Sequence, residues 1–244
     1  MRGRKIGIIL QARMGSSRLP GKVLKPLAGK PMLQRIVERL QACRKADELI
    51  LATSDRAQDQ PIANLANDLG VSMFRGSESD VLDRYYQCAL TYQLDDIIRA
   101  TGDNPFVDPD SCDQLTDFYC GRQLDYAIIS NSSTDGYPLG VGVEIFSFDA
   151  LQKSWQDGHE PHHREHVDEY ILEHPDIFRQ AKMSASSDKF APEISLTVDT
   201  PEDFMFAEKL YNDYFRQFPE SRILPVVWAI KQIKKGNNRK EWIL

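Results

Sequence analysis

Short apolar runs alternate with amphipathic stretches through the first half of the chain. Ile6 to Leu10 is uniformly apolar and predicts a buried strand. From about Pro31 the apolar residues Leu33, Ile36, Val37 and Leu40 fall at i, i+3, i+4 and i+7, which predicts a helix with proline in its first turn. Glu48 to Thr53 predicts a second strand. The next helix carries Ile62, Leu65, Ala66 and Leu69 on one stripe, with Ser54 or Asp55 as its cap and Gly70 closing it. Val71 to Phe74 predicts a short strand. Ser79 or Asp80 caps a helix that runs to about Tyr92. Asp96 to Thr101 predicts a strand, Asp108-Pro109-Asp110 opens a helix, and Asp125 to Ser130 predicts a fifth strand.

This alternation predicts right-handed β-α-β crossovers, hence an α/β fold with a mostly parallel sheet and helices on both faces. Ligands of such sheets bind beyond the carboxyl ends of the strands. Past Ser130 the pattern changes. Residues 131–142 are rich in Gly, Ser and Pro and read as a loop. Val143 to Phe148 predicts a strand, and Phe148 to Trp155 a helix. Glu165 to Glu173 predicts another helix, and Ile177 to Met183 and Ile194 to Val198 predict strands. Thr200-Pro201-Glu202-Asp203 is a helix start: a threonine cap, a first-turn proline and first-turn acids. The polar tail from Gly236 to Lys240 reads as frayed.

Composition narrows the function. A chain of 244 residues with 41% hydrophobic residues suits a single domain spanning 1–244. The net charge of −6 argues against a general nucleic-acid or membrane binder, so an anion site must be a local basic patch. The first strand is too short for a membrane span or a signal peptide. Cys43, Cys88, Cys112 and Cys120 form no C-x-x-C pair and read as reduced thiols of a cytoplasmic protein.

That basic patch follows the first strand: Gln11-Ala12-Arg13-Met14-Gly15-Ser16-Ser17-Arg18-Leu19-Pro20-Gly21-Lys22. Small residues let a phosphate approach, backbone amides can cradle its oxygens, and the cations neutralise it. Neither the G-x-x-x-x-G-K-[ST] loop nor G-x-G-x-x-G is present. The stretch resembles the signature of the cytidylyltransferases that make CMP-activated sugars, of the acylneuraminate and 3-deoxy-manno-octulosonate type. Lys30-Pro31-Met32, Ala52-Thr53-Ser54-Asp55, and Phe74 to Glu78 with Asp80 to Tyr85 extend the likeness. So do Arg164 to Val167 and Thr197 to Asp203. Together they point to the branch related to spore coat polysaccharide biosynthesis.

The resemblance implies a Rossmann-like nucleotidyltransferase fold, with residues 131–190 forming an acceptor-binding and dimerisation arm. It implies nucleotide contacts from Ala12, Arg13, Met14, Gly15, Ser16, Arg18 and Lys22, with Arg75 and Ser77 near the base. Asp103 and Asp199 each follow a predicted strand, and paired strand-end carboxylates suit Mg²⁺. The resemblance assigns them that metal and, with Arg13 and Lys22, the catalytic role. It places Arg164, Glu165 and His166 near the acceptor. Glu144 either contacts the sugar or alternates outward on its strand. Gly142 stands where many relatives carry aspartate, which bears on the hydroxyls this loop holds. Asp83 and Arg84 read equally as base contacts or as a surface ion pair. His159, His162, His163 and His166 with Glu160 and Glu165 match no familiar zinc spacing.

The expectation is therefore a Mg²⁺-dependent, homodimeric enzyme using CTP and a sugar-acid acceptor, with no nucleic-acid or membrane partner. One alternative keeps the fold with another nucleotide or a sugar or polyol phosphate acceptor. Another is a non-catalytic nucleotide- or sugar-binding module. Intact Arg13, Lys22, Asp103 and Asp199 argue against the latter.

Overall fold

A computed structural model describes residues 3–236. In chain order the elements are β1 (Ile6–Gln11), β2 (Pro26–Leu27), β3 (Lys30–Pro31), α1 (Met32–Leu40), β4 (Glu48–Ser54), α2 (Gln60–Asp68) and β5 (Ser72–Gly76). There follow α3 (Val81–Thr91), β6 (Asp96–Thr101), α4 (Pro109–Arg122), β7 (Tyr126–Ile129), β8 (Glu144–Ser147), α5 (Phe148–Asp157) and α6 (Pro161–Glu165). The chain closes with α7 (Glu169–Glu173), β9 (Gln180–Met183), α8 (Pro201–Gln217) and α9 (Val226–Lys235).

Seven strands form one sheet in the order β5-β4-β1-β6-β8-β7-β9. Only β8 runs against its neighbours, pairing antiparallel with both β6 and β7. The sheet is therefore mostly parallel, as the alternation predicts. Successive strand residues serve opposite faces. Ile8 and Leu10 join a core with α1, α4, α8 and α9. Ile9, Ile50, Ile97 and Phe146 join a second core with α3, α5 and α7. Helices cover both faces, and β8 and β9 from the 131–190 segment belong to the same sheet.

Several boundaries differ from the sequence reading, for local reasons. Pro31 sits in β3, which forms a small hairpin with β2, so α1 starts one residue later. Neither Ser54 nor Asp55 caps α2. A 3-10 turn over Ala57–Asp59 intervenes, Asp59 takes the N-cap position, and Ser54 donates its hydroxyl to Asp59. Asp80, not Ser79, caps α3 by accepting the Asp83 amide. Of the helix predicted over Glu165–Glu173 only α7 (Glu169–Glu173) forms; an earlier short helix, α6, ends at Glu165, and residues 166–168 separate the two. There Val167 is buried, and Asp168 reaches inward to accept the Tyr126 hydroxyl. Ile194 to Val198 is no strand; it makes a single parallel bridge, Ser195 with Leu139. The frayed tail expected over 236–240 lies, beyond Gly236, outside the described residues.

That bridge depends on a glycine. Gly140 has φ +89°, and a Cβ there would lie 2.7 Å from the Thr197 amide nitrogen. Leu139 donates its amide to Ile194, and Leu196 donates to Leu139, at 2.9 and 2.8 Å. These bonds carry the chain toward Val198 and Asp199. Replacing Gly140 with Ala is expected to cost about 1–3 kcal/mol through backbone strain and this clash. Denaturant unfolding measures the loss.

Candidate active site

The carboxyl ends of β1 and β6 open onto a cleft of about 360 Å³. Its wall includes Gln11, Arg13, Gly15, Arg18, Lys22, Arg99, Thr101, Asp103, His166 and Asp199. Two of the strands are locked together at this rim, because Gly102 donates its amide to the Gln11 carbonyl at 2.8 Å. The loop after β1 therefore begins from a rigid edge.

The loop folds back on itself. The Met14 carbonyl accepts the Ser16 and Gly21 amides at 2.9 and 3.1 Å. Met14 donates its own amide to buried Asp59 at 2.7 Å. Gly21 adopts φ +69°, which turns the chain into the 3-10 helix at Lys22–Leu24. The amides of Ala12, Met14 and Ser16 are thus engaged within the protein. These three amides are therefore turned to the protein rather than to the cleft, while Arg13, Arg18 and Lys22 supply positive charge to its wall. Ala12 and Ser16 still form cleft wall, whereas Met14 serves as the loop's internal anchor.

Lys22 is buried and fixed. Its Nζ donates to the Val198 carbonyl at 2.6 Å and to Asp199 Oδ1 at 3.0 Å. Exposed Arg18 meets the same Asp199 oxygen at 3.1 Å. Asp103 accepts the Thr101 hydroxyl, and its backbone carbonyl accepts the Val198 amide at 2.9 Å. The segments bearing the two carboxylates are therefore laced together. Arg13 and Lys22 of one loop thus share a cleft with Asp103 and Asp199, which lie far along the chain.

The remaining expected site residues divide. His166 lines the cleft, and Glu165 is exposed beside it. Arg164 does not reach the cleft. Both of its terminal edges meet Asp80 Oδ2, at 2.9 and 2.6 Å, and it donates to the Trp155 carbonyl. That pairing ties α6 to the start of α3. Arg75 is likewise engaged, by the Ser54 and Arg56 carbonyls and by Gln60. Ser77 accepts the Asp80 amide. These two residues brace the turn after β5 rather than lining the cleft. Asp83 and Arg84 form no surface pair: Asp83 accepts the Trp155 indole N–H, and Arg84 is buried and donates to the Ser77 carbonyl. In the histidine stretch, His162 and His163 place Nε2 at 2.8 and 2.7 Å from the two Glu173 oxygens. The Glu160 amide donates to His163 Nδ1, so the ring proton sits on Nε2 and the group clasps α6 to α7.

Glu144 pairs with Arg99 across the β6–β8 ladder, at 3.1 Å, and also edges a smaller cavity of about 100 Å³ with Asn104, Asn131, Leu139 and Gly142. Burial pushes the Glu144 carboxyl up to about 7, against the pull of Arg99. Burial lowers the Arg99 pKa, but Glu144 and Asp168 outweigh it and hold the guanidinium above its usual range. Sequence reasoning missed Arg99, Thr101, Gln11 and Asp59. Arg99 had a visible signal, a cation inside an apolar strand. Asp59 had none.

Fold and cleft together define an α/β protein of the Rossmann-like nucleotidyltransferase type, with a cationic cleft that two aspartates also line at the carboxyl edge of its sheet. The chain belongs to the cytidylyltransferase family, whose description matches residues 7–232. It is 38% identical to the spore coat polysaccharide biosynthesis protein SpsF of Bacillus subtilis over 208 residues, 83% of this chain and 85% of that one. It is 34% identical to the 3-deoxy-manno-octulosonate cytidylyltransferase of Anaeromyxobacter dehalogenans over 115 residues, 46% of each chain. A cytidylyltransferase structure from Leptospira borgpetersenii superposes with a TM-score of 0.87 at 31% identity. That match covers 99% of this chain and 97% of the other. No helix among the described residues is long and apolar enough to cross a membrane.

Proposed function

We propose that this cytidylyltransferase moves CMP from CTP to a sugar acid for surface polysaccharide or glycan synthesis, releasing pyrophosphate. One observation carries the reading: Arg13, Arg18 and Lys22 line a single cleft with Asp103 and Asp199 at the end of β1, where Arg18 and Lys22 both meet Asp199. The name of the Anaeromyxobacter relative supports the acid acceptor, and SpsF supports the polysaccharide setting.

An acceptor hydroxyl attacks the α-phosphorus, the bond to the bridging oxygen of pyrophosphate breaks, and the hydroxyl proton passes to solvent. Positioning and charge neutralisation dominate such a transfer. Arg13 and Arg18 hold the outer phosphates, and Lys22 meets the charge that develops on the leaving pyrophosphate. His166 and the cavity beside Glu144 lie where the acceptor enters. Asp103 and Asp199 are the residues that would hold Mg²⁺; their hard oxygen donors, on segments joined by a backbone hydrogen bond, fit that ion. Bound there, Mg²⁺ supplies neutralisation of phosphate charge and a lowered hydroxyl pKa. A homodimer through 131–190, acting in the cytoplasm, completes the reading.

The experiment is pyrophosphate release with each ribonucleoside triphosphate, Mg²⁺ and a panel of sugar acids. Release with CTP and an acid supports the reading; release only with another triphosphate or a neutral or phosphorylated acceptor overturns it. Asp103→Asn is expected to lower turnover about 10²-fold or more and to raise the Mg²⁺ concentration required, with an unchanged circular dichroism spectrum.

A further inference from the structure

Arg99 sits within a strand whose neighbours Ile97, Ile98 and Ala100 are buried. A guanidinium in such a place needs partners. It has two carboxylates: Glu144 at 3.1 Å and Asp168 at 3.8 Å, the latter also accepting the Tyr126 hydroxyl at 2.9 Å. Taken alone, that is a structural ion-pair cluster holding β6, β8, β7 and the 166–168 turn together.

Three observations go beyond that role. Arg99 forms part of the cleft wall, on the same side as Thr101, Asp103 and His166. Its Nε is buried and has no hydrogen-bond partner among the described residues. Gln11 also lines the cleft, and its Oε1 is buried and lacks a partner as well. The β1–β6 register sets Gln11 opposite Thr101 and Ile9 opposite Arg99, so the two orphaned side chains share one face of the sheet. Buried polar atoms without partners on a cleft wall mark a place where a ligand supplies the missing bonds.

The ligand's chemistry follows from position. In a 2-keto sugar acid the carboxyl is bonded to the same carbon as the anomeric hydroxyl. A carboxylate on an attacking acceptor therefore lies close to the Asp103 end of the cleft. Lys22, Arg18 and Arg13 serve the triphosphate in the reading above, and Arg164 is held by Asp80. We propose that Arg99 binds the acceptor's carboxylate and so selects a sugar acid over its neutral counterpart, with Gln11 accepting an adjacent hydroxyl. This assignment rests on the cytidylyl-transfer reading above.

The charges around Arg99 make the selection pH-dependent. Glu144 on β8 pairs with Arg99 on β6 and feels the charge of Asp168 between α6 and α7, and it also interacts electrostatically with Tyr126 on β7 and Tyr85 on α3. Protonated Glu144 leaves Arg99 and Asp168 neutral in sum; ionised Glu144 makes the group net negative and opposes an incoming carboxylate. Acceptor affinity therefore falls as the pH rises through about 7.

The test compares a sugar acid that turns over with the same sugar whose carboxyl is reduced to an alcohol. In the wild type, kcat/KM favours the acid by about 100-fold. In Arg99→Gln that preference collapses to a few-fold, mainly through KM, while CTP affinity by calorimetry stays within about twofold. Arg99→Lys, which keeps the charge but loses the planar fork, retains an intermediate preference of about tenfold. Glu144→Gln removes the opposing charge, lowers KM for the acid and flattens its pH dependence above 7. If Arg99→Gln does not fold, as judged by circular dichroism, the lysine and Glu144 variants decide. A preference for the acid that stays at about 100-fold in Arg99→Gln and Arg99→Lys, or a KM for the acid unchanged by Glu144→Gln, overturns the assignment and leaves the transferase reading standing. Wild-type protein that releases no pyrophosphate with any acid overturns both.

Discussion

Lys22→Ala is expected to lower kcat/KM about 10²–10³-fold while the protein remains folded. The ammonium lies between the Val198 carbonyl and Asp199 Oδ1, so its position is fixed before any nucleotide arrives. A preorganised charge neutralises developing negative charge without reorganisation, and loss of one such donor has this magnitude. The structural cost is smaller. Asp199 keeps exposed Arg18, and the Val198 carbonyl loses one hydrogen bond, for about 1–2 kcal/mol. Lys22→Arg restores only part of the activity, because the longer planar fork does not fit a slot shaped for a single donor. Pyrophosphate release and circular dichroism on the same preparations check both halves. Undiminished turnover in the alanine variant, or its unfolding, would remove Lys22 from this role.

Arg39→Met is expected to give the largest loss of stability, about 3–5 kcal/mol. Arg39 is 2% exposed and donates to three backbone carbonyls: Val107 at 2.5 Å, Leu224 at 2.6 Å and Phe106 at 3.4 Å. The guanidinium joins α1 to the segment before α4 and to the approach to α9. Methionine fills much of the volume but leaves those acceptors without donors in a closed core, and each carries a desolvation cost of about 1–3 kcal/mol. In a chain of this size the loss corresponds to a fall in Tm of about 10 °C. Arg44→Met is the control. Arg44 bonds to Asp110 and Asp113, but its side chain is 74% exposed and water screens both pairs, so its removal costs far less than that of Arg39. Equal losses from the two variants would contradict this account.

Both predictions show where local pattern is informative. Lys22 was legible because a small, basic loop directly after an apolar strand has a chemical purpose that spacing reveals. Arg39 was not, because nothing around it in the chain names carbonyls 67, 68 and 185 residues away. Arg99 falls between them. Its charge interrupts a strand of Ile and Ala, but its partners Glu144 and Asp168 come from β8 and a helix break that local pattern read as continuous helix.

The sequence by itself determined the alternation of strands and helices, the mostly parallel sheet and the small basic loop after the first strand. It also singled out Asp103 at the end of β6, because end-of-strand position is a property of neighbouring residues, and it named Asp199, although the stretch before Asp199 makes a single bridge rather than the expected strand. Tertiary structure decided which charged groups remain free for a ligand. Arg164 and Arg75 lie in motifs that read as binding motifs, yet Asp80 and backbone carbonyls hold them away from the cleft. Met14 belongs to the basic loop, yet its amide belongs to Asp59. Whether a cation meets a ligand or the protein itself depends on its nearest acceptor in space, and those acceptors come from segments that only the folded chain brings together.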